Sequence, residues 1–227
     1  MTSEDGRAAG RGMRVVIAGG HGQIALLTAR LLADAGHRPV GLIRNPAQGG
    51  DLVAAGAEPA VVDLEHSDVD TVAALLSGAD AVVFAAGAGP NSGAARKLTL
   101  DRDGAVLLAD AAERAGVRRY VMVSSMGADT FDAGSEDVFQ VYQRAKSEAD
   151  ADLRRRDLDW TVVRPGGLTD EAPTGRVRVA VETGRGTVPR ADVAAVLAAL
   201  LSTGAGVGAQ FELVSGDTPV AEAVAAL

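Results

Sequence analysis

"RVVIAGGHGQIALLTARLL", residues 14–32, sets a short apolar run against a glycine loop and then against a segment whose apolar residues recur at helical spacing. The run "RVVIA" is β-branched and brief, so it reads as a buried strand, and "QIALLTARLL" reads as a helix with one apolar face. Between them Gly19, Gly22 and Ala25 form the pattern G-x-x-G-x-x-A. Missing side chains at a strand-to-helix turn permit a tight bend. They also let a phosphate approach the backbone at the helix N-terminus, where free amides and the helix dipole favour negative charge. Such a turn also occurs for turn chemistry alone, so its weight depends on what surrounds it.

Outward from this stretch the same alternation continues. Six more short apolar runs follow, at 38–43, 59–64, 80–86, 118–125, 159–165 and 210–214, with Ala- and Leu-rich segments between most of them. Apolar strands covered on both faces and alternating with helices mark a parallel sheet. The expectation is a Rossmann-like α/β fold: a doubly wound parallel sheet of about seven strands with helices on both faces. Residues 1–12, "MTSEDGRAAGRG", read as a flexible polar tail, and 13–227 as a single domain. The stretch 165–189, "PGGLTDEAPTGRVRVAVETGRGTVP", is long and Gly-rich, and reads as an irregular substrate-side loop or lid.

Composition removes several classes of function. With 22 Lys and Arg against 30 Asp and Glu, the formal net charge is −8, the wrong sign for a nucleic-acid groove or an anionic membrane surface. There is no cysteine, and the three histidines, His21, His37 and His66, lack ligand spacing, so no metal site is expected. No run of about 18 apolar residues offers a membrane span. The reading is a cytoplasmic protein, monomeric or homodimeric, that acts on a small molecule.

Within the first β-α-β unit, the loop and first helical turn (Gly19, His21, Gly22, Gln23, Ile24) are the expected pyrophosphate contacts, His21 chiefly through its backbone. The second strand ends in "GLIRNP", placing Arg44 where an acid would hold a free ribose 2′-hydroxyl. A guanidinium suits a 2′-phosphate, so NADP(H) is favoured and NAD(H) is the lesser alternative. A solvated arginine ahead of Pro46 is the plainer reading. Asp63, with Leu64 at the end of the third run, is placed to meet the adenine, or simply to cap a helix before "HSDVD".

The chemistry-bearing stretch is "VFQVYQRAKSEAD", where Tyr142 and Lys146 stand four apart on one helix face. A lysine cation favours the phenolate form of a neighbouring tyrosine, which makes the phenol a usable proton donor near neutral pH. Ser125, closing the fifth run, lies at the carboxyl edge of the sheet where such folds bind ligands. Y-x-x-x-K is otherwise a common string on a solvated helix face. In "KLTLDRDGAVLLADAA", helical spacing puts Asp101 on one stripe with Leu98, Ala105, Leu108 and Ala112. An inward acid needs a partner, and Lys146 is the expected one; an Asp near solvent is the alternative.

The glycine loop, "FAAGAG" after the fourth run, "VMVSS", the Tyr142/Lys146 pair and "TVVRPGGLTDE" together resemble the short-chain dehydrogenase/reductase superfamily. The likeness covers about residues 13–220 and is nearest to its atypical branch of NmrA-like and epimerase/dehydratase-like NAD(P)-binding proteins. The resemblance implies that Ala85, Ala86 and Gly87 accommodate the adenine-side ribose, that Lys146 holds the nicotinamide ribose, and that Pro165, Gly166 and Gly167 pass beside the nicotinamide. It also implies that Ser125 and Tyr142 hydrogen-bond a substrate carbonyl. The superfamily's asparagine on the fourth helix is replaced here by Asp101, as is common in that branch. The expected activity is NADPH-dependent hydride transfer to a small carbonyl or quinone-like acceptor. The alternatives are a non-catalytic NADP-binding regulator of the NmrA type and a sugar-nucleotide epimerase or dehydratase.

Overall fold

The structure, a computed structural model, describes residues 12–89 and 91–227. Of the expected N-terminal tail, residues 1–11 lie outside these. The described chain runs β1 (Arg14–Ala18), α1 (Gln23–Asp34), β2 (Arg38–Ile43), α2 (Gly49–Ala54), β3 (Glu58–Val61), α3 (Val69–Leu75) and β4 (Ala81–Phe84). Then come α4 (Ala94–Arg96), a π-helical segment (Lys97–Arg102), α5 (Asp103–Ala115), β5 (Arg119–Val123), α6 (Val138–Arg154) and β6 (Asp159–Pro165). The rest is β7 (Gly167–Thr169), β8 (Arg176–Ala180), β9 (Thr187–Pro189), α7 (Arg190–Thr203), β10 (Ala209–Ser215), β11 (Thr218–Pro219) and α8 (Val220–Ala225).

The main sheet has nine strands in the order β11-β8-β10-β6-β5-β4-β1-β2-β3. The seven expected strands are β3, β2, β1, β4, β5, β6 and β10, each parallel to the next in that order. The count of seven is corrected by β8 and β11, which continue the sheet antiparallel beyond β10. Both faces are covered. Val15 and Ile17 join the core built with α1, α7 and α8, and Val16 and Ala18 join the one built with α3, α5 and α6, as strand alternation requires.

The stretch 165–189 differs from its expectation. It carries β7 and β9, which pair with each other, and β8, which pairs with β10. The signal was present in "RVRVA", where Val177 is buried between exposed Arg176 and Arg178; flanking glycines masked a strand of one-sided period. A second correction concerns the stripe on the helix of 94–115. Asp101, Ala105, Leu108 and Ala112 are buried as expected, but Lys97 is buried in place of half-buried Leu98. The π-helical segment widens the turn and shifts the helical phase there; such segments concentrate at functional sites.

Candidate functional site

The direction of winding reverses at β1, which lies between β4 and β2, and in open α/β sheets ligands bind at the carboxyl ends of strands at such a point. Two cavities open there, of about 430 Å³ and about 720 Å³. They meet at Ala85, Ala86 and Gly87, just past the end of β4.

The first cavity is floored by the loop ahead of α1. Gly19 has φ +76°, and a Cβ there would stand 2.5 Å from the Ala86 Cα, so only glycine lets the two loops approach. The Gly22 amide donates to the Gly19 carbonyl at 2.8 Å, and Gly22, the N-cap, offers α1 no side-chain cap. The first-turn amides of α1 are therefore left for a ligand. The His21 ring is engaged by Asp51 of α2, Nε2 to Oδ2 2.7 Å, so the loop faces the cavity chiefly through its backbone.

Across the cavity Arg44 is more than half exposed, with Nη1 3.4 Å from Glu65 Oε2. Arg96 donates to the same oxygen from Nε at 2.9 Å and Nη2 at 2.8 Å, and the Thr99 hydroxyl donates to Oε1 at 2.7 Å. Burial pushes the Glu65 carboxyl up, but hydrogen bonds from Arg96 and Thr99 and the Arg96 charge outweigh it and hold it below the usual range. Asp63 does not cap a helix; its carboxylate accepts from the Glu65 amide at 3.0 Å and faces His66 Nδ1 at 3.1 Å. Asp68 caps α3 instead, accepting from the Thr71 amide at 2.8 Å. Burial of Asp63 is likewise outweighed by these hydrogen bonds and by the charges of His66 and Arg44, leaving its carboxyl low.

The second cavity gathers Asp101, Ser125, Tyr142 and Lys146, with Ile24, Pro165 and Gly166 on its wall. Ser124 also lines it but is committed: its hydroxyl donates to Asp150 Oδ2 at 2.7 Å. Ser125 makes one long hydrogen bond, 3.4 Å to the Met126 carbonyl, and its hydroxyl is the one left to a ligand. Lys146 is buried, donates to the Val123 carbonyl at 3.2 Å and lies 3.5 Å from Asp101 Oδ1 and 5.9 Å from the Tyr142 ring centroid. Burial pulls its ammonium down, yet attraction to Tyr142, Asp101 and Asp150 prevails and raises it above the ordinary lysine value. Asp101 also accepts from the Ala88 amide at 3.0 Å, tying the helix to the loop after β4. Asp150 is held high by burial, although Arg164, at 2.8 Å, and Ser124 pull it down.

Of the expected contacts, Gln23 and Gly167 line neither cavity. The glycine pair has a packing reason: a Cβ on Gly166 would meet the Gly186 carbonyl oxygen at 2.4 Å, and one on Gly167 would meet Thr187 Cγ2 at 3.3 Å. Sequence reasoning missed Glu65, Arg96 and Lys97. Lys97 stands four residues before Asp101, a spacing that signalled a shared face. Among the described residues no group of three or more His, Cys, Asp or Glu side chains is placed to hold a metal, and no helix is long and apolar enough to cross a membrane. An open helix N-terminus, a glycine cradle and two arginines along one elongated trough fit a dinucleotide.

A family model described as NAD(P)H-binding matches residues 19–203. The chain is 38% identical over 213 residues to a Bacillus subtilis (strain 168) protein named "Uncharacterized sugar epimerase YhfK", covering 93% of this chain and 99% of that protein. A solved structure from Bacillus halodurans, whose name places it among NAD-dependent epimerases/dehydratases, matches with a TM-score of 0.88 at 39% identity over 95% of this chain and 100% of its own. The oxidoreductase ylbE from Lactococcus lactis matches with a TM-score of 0.82 at 26% identity, over 95% and 96%. The family match spans every residue lining both cavities, and the chain belongs to the NAD(P)H-binding family, among oxidoreductase- and epimerase-like relatives.

Proposed function

We propose that the protein is an NADPH-dependent oxidoreductase of the atypical short-chain dehydrogenase/reductase type that reduces a small carbonyl or quinone-like acceptor. The observation that carries this reading is the convergence of Ser125, Tyr142 and Lys146 on a cavity continuous, at Ala85–Gly87, with the one at the α1 N-terminus. In this reading Gly19 and Gly22 of the loop and Ile24 at the start of α1, which line the first and second cavities, hold the pyrophosphate, Asp63 and Leu64 meet the adenine, and Arg44 and Arg96 hold the 2′-phosphate. NADPH supplies the hydride when bound. Ser125 donates a hydrogen bond to the acceptor oxygen and Tyr142 transfers its proton to that oxygen as charge develops there. Lys146, fixed by Asp101, holds the ribose hydroxyls and stabilises the charge left on the tyrosine.

The test is loss of NADPH absorbance across a panel of aldehydes, ketones and quinones. Substrate-dependent oxidation with NADPH preferred over NADH is the expected outcome. The sugar-epimerase name of the Bacillus subtilis relative supports a second reading, which requires conversion of a sugar nucleotide with no net NADPH loss. Tight NADPH binding without turnover on either kind of substrate would replace both by a cofactor-sensing regulator.

A further inference from the structure

The second cavity holds a cation that the reduction chemistry leaves unused. Lys97, on the π-helical segment, is 6% exposed. Its ammonium donates to the Gly89 carbonyl at 2.6 Å and lies 5.3 Å from the centroid of the Tyr142 ring. Among the described residues Asp101 ion-pairs with Lys146, and no carboxylate comes within ion-pair distance of Lys97. Buried lysines are rare unless paired, because an uncompensated charge in an apolar wall is costly. Burial holds this ammonium below the ordinary lysine range; Asp101 offsets the effect in part, and Lys146 and Arg96 add to it.

The charges around it do not cancel. Lys97 and Lys146 face one inward carboxylate, Asp101. Asp150 is engaged by Ser124 and Arg164. Asp137, at the cavity mouth, is exposed and caps α6 by accepting from the Phe139 amide at 3.0 Å. The remaining wall is largely apolar, and its rim exposes Phe139 (60%), Val138 (40%) and Leu168 (39%). A ligand that satisfies both features has an apolar body and an anionic head. The cofactor's phosphates do not account for the cation, because the glycine loop (Gly19, Gly22) and the two arginines line the first cavity and Lys97 does not.

We propose that Lys97 determines acceptor specificity by pairing with the carboxylate of an apolar oxo-acid whose reducible carbonyl lies at Tyr142. The reducible group rests on the reductase reading, whereas the carboxylate site stands on the unpaired cation alone.

Two measurements separate the two. Calorimetric titration of NADP-loaded protein with naphthalene-2-carboxylate and with its neutral carboxamide is expected to give at least about tenfold tighter binding of the acid, the scale of one charge-assisted contact. Lys97→Gln should abolish that preference, and Lys97→Arg should retain most of it, with thermal melts reporting whether each variant is folded. Equal affinities in the parent, or a preference surviving in folded Lys97→Gln, overturn the proposal. So does a Lys97→Gln protein whose NADPH affinity falls while the acid-to-amide ratio stays put, since the lysine would then serve the cofactor. Turnover of 4-carboxybenzaldehyde against its methyl ester reads the reductase reading independently. An acid preference in binding without turnover of either leaves the anion site intact and removes the reduction.

Discussion

At the Arg44 end of the trough the charged side chains stand at the mouth of an open cavity, and Arg44 is more than half exposed. At the Tyr142 end Lys97, Lys146 and Asp101 are buried, each less than a tenth exposed. The same kinds of charge have different consequences in the two places. Near solvent an ion pair is screened and contributes at most about 1 kcal/mol, so the 3.4 Å contact of exposed Arg44 with the largely buried Glu65 leaves that guanidinium's attraction for an anion uncancelled. In the interior a lost partner leaves a charge with nowhere to go. The exposed end is therefore suited to reading which cofactor is present, and the buried end to chemistry. Substitutions at the two ends should differ accordingly.

The largest effects are expected at Tyr142 and Lys146. Tyr142→Phe keeps the ring and removes the proton, so turnover should fall by about 10²–10⁴-fold while NADPH affinity holds, the range for a positioned general acid. Lys146→Met should reduce turnover at least as much and weaken NADPH binding as well, because it removes both the charge beside Tyr142 and the expected ribose contact. Steady-state kinetics and cofactor titration of both variants decide this. Unchanged turnover in Tyr142→Phe would show that the buried end is not where the proton comes from.

Asp101→Ala tests the same end through stability. It removes the carboxylate 3.5 Å from Lys146 and the acceptor of the Ala88 amide, and breaking such a buried pair costs about 3–5 kcal/mol. Chemical denaturation at neutral pH should register that loss. Its pH dependence has a definite sign. The folded-state pKa of Lys146 is raised, so its stabilising contribution is complete below the unfolded lysine value of about 10.4 and is lost as the pH climbs through the raised folded value. The gap between parent and Asp101→Ala should therefore narrow in strongly alkaline solution. A gap that widens there would contradict the pairing.

At the exposed end, Arg44→Ala and Arg96→Ala should each reduce the preference for NADPH over NADH by about tenfold, with NADH affinity little changed, as one charged contact to a 2′-phosphate is lost. Parallel titrations of both cofactors measure it. A preference untouched in both variants would mean that neither guanidinium reads the 2′-phosphate.

Arg44 and Arg96 also mark where sequence alone stops. Arg44 was legible because its place is set locally, at the end of an apolar run next to a recognisable turn. Arg96 reaches the same cavity from a helix more than 50 residues later, and only the closing of β4 beside β1 brings it there. The parallel strands were legible for a similar reason: each is an apolar run under local control. Strand β8 was not, since "RVRVA" shows its period on one face only and its partner β10 comes late in the chain. Tyr142 and Lys146 were legible from i, i+4 spacing, whereas the burial of Lys97 depends on a π-helical segment that changes the phase of the helix.

The smallest effect belongs to His21, and it sharpens the comparison most because it sits within the glycine loop itself. The ring contacts Asp51, whose side chain is 68% exposed, so the pair lies at the surface and its removal should change stability by under about 1 kcal/mol. His21→Ala keeps the backbone amides, the turn closed by Gly22 on Gly19 and the open first turn of α1. NADPH affinity should then shift by less than about tenfold, the scale of one charged contact, and the stability difference should stay small at low and high salt alike. Calorimetric titration and melts at low and high ionic strength measure both. A loss of affinity as large as that of Arg44→Ala would mean that the imidazole leaves Asp51 and grips a phosphate, and the loop would then bind through a side chain as well as through its backbone.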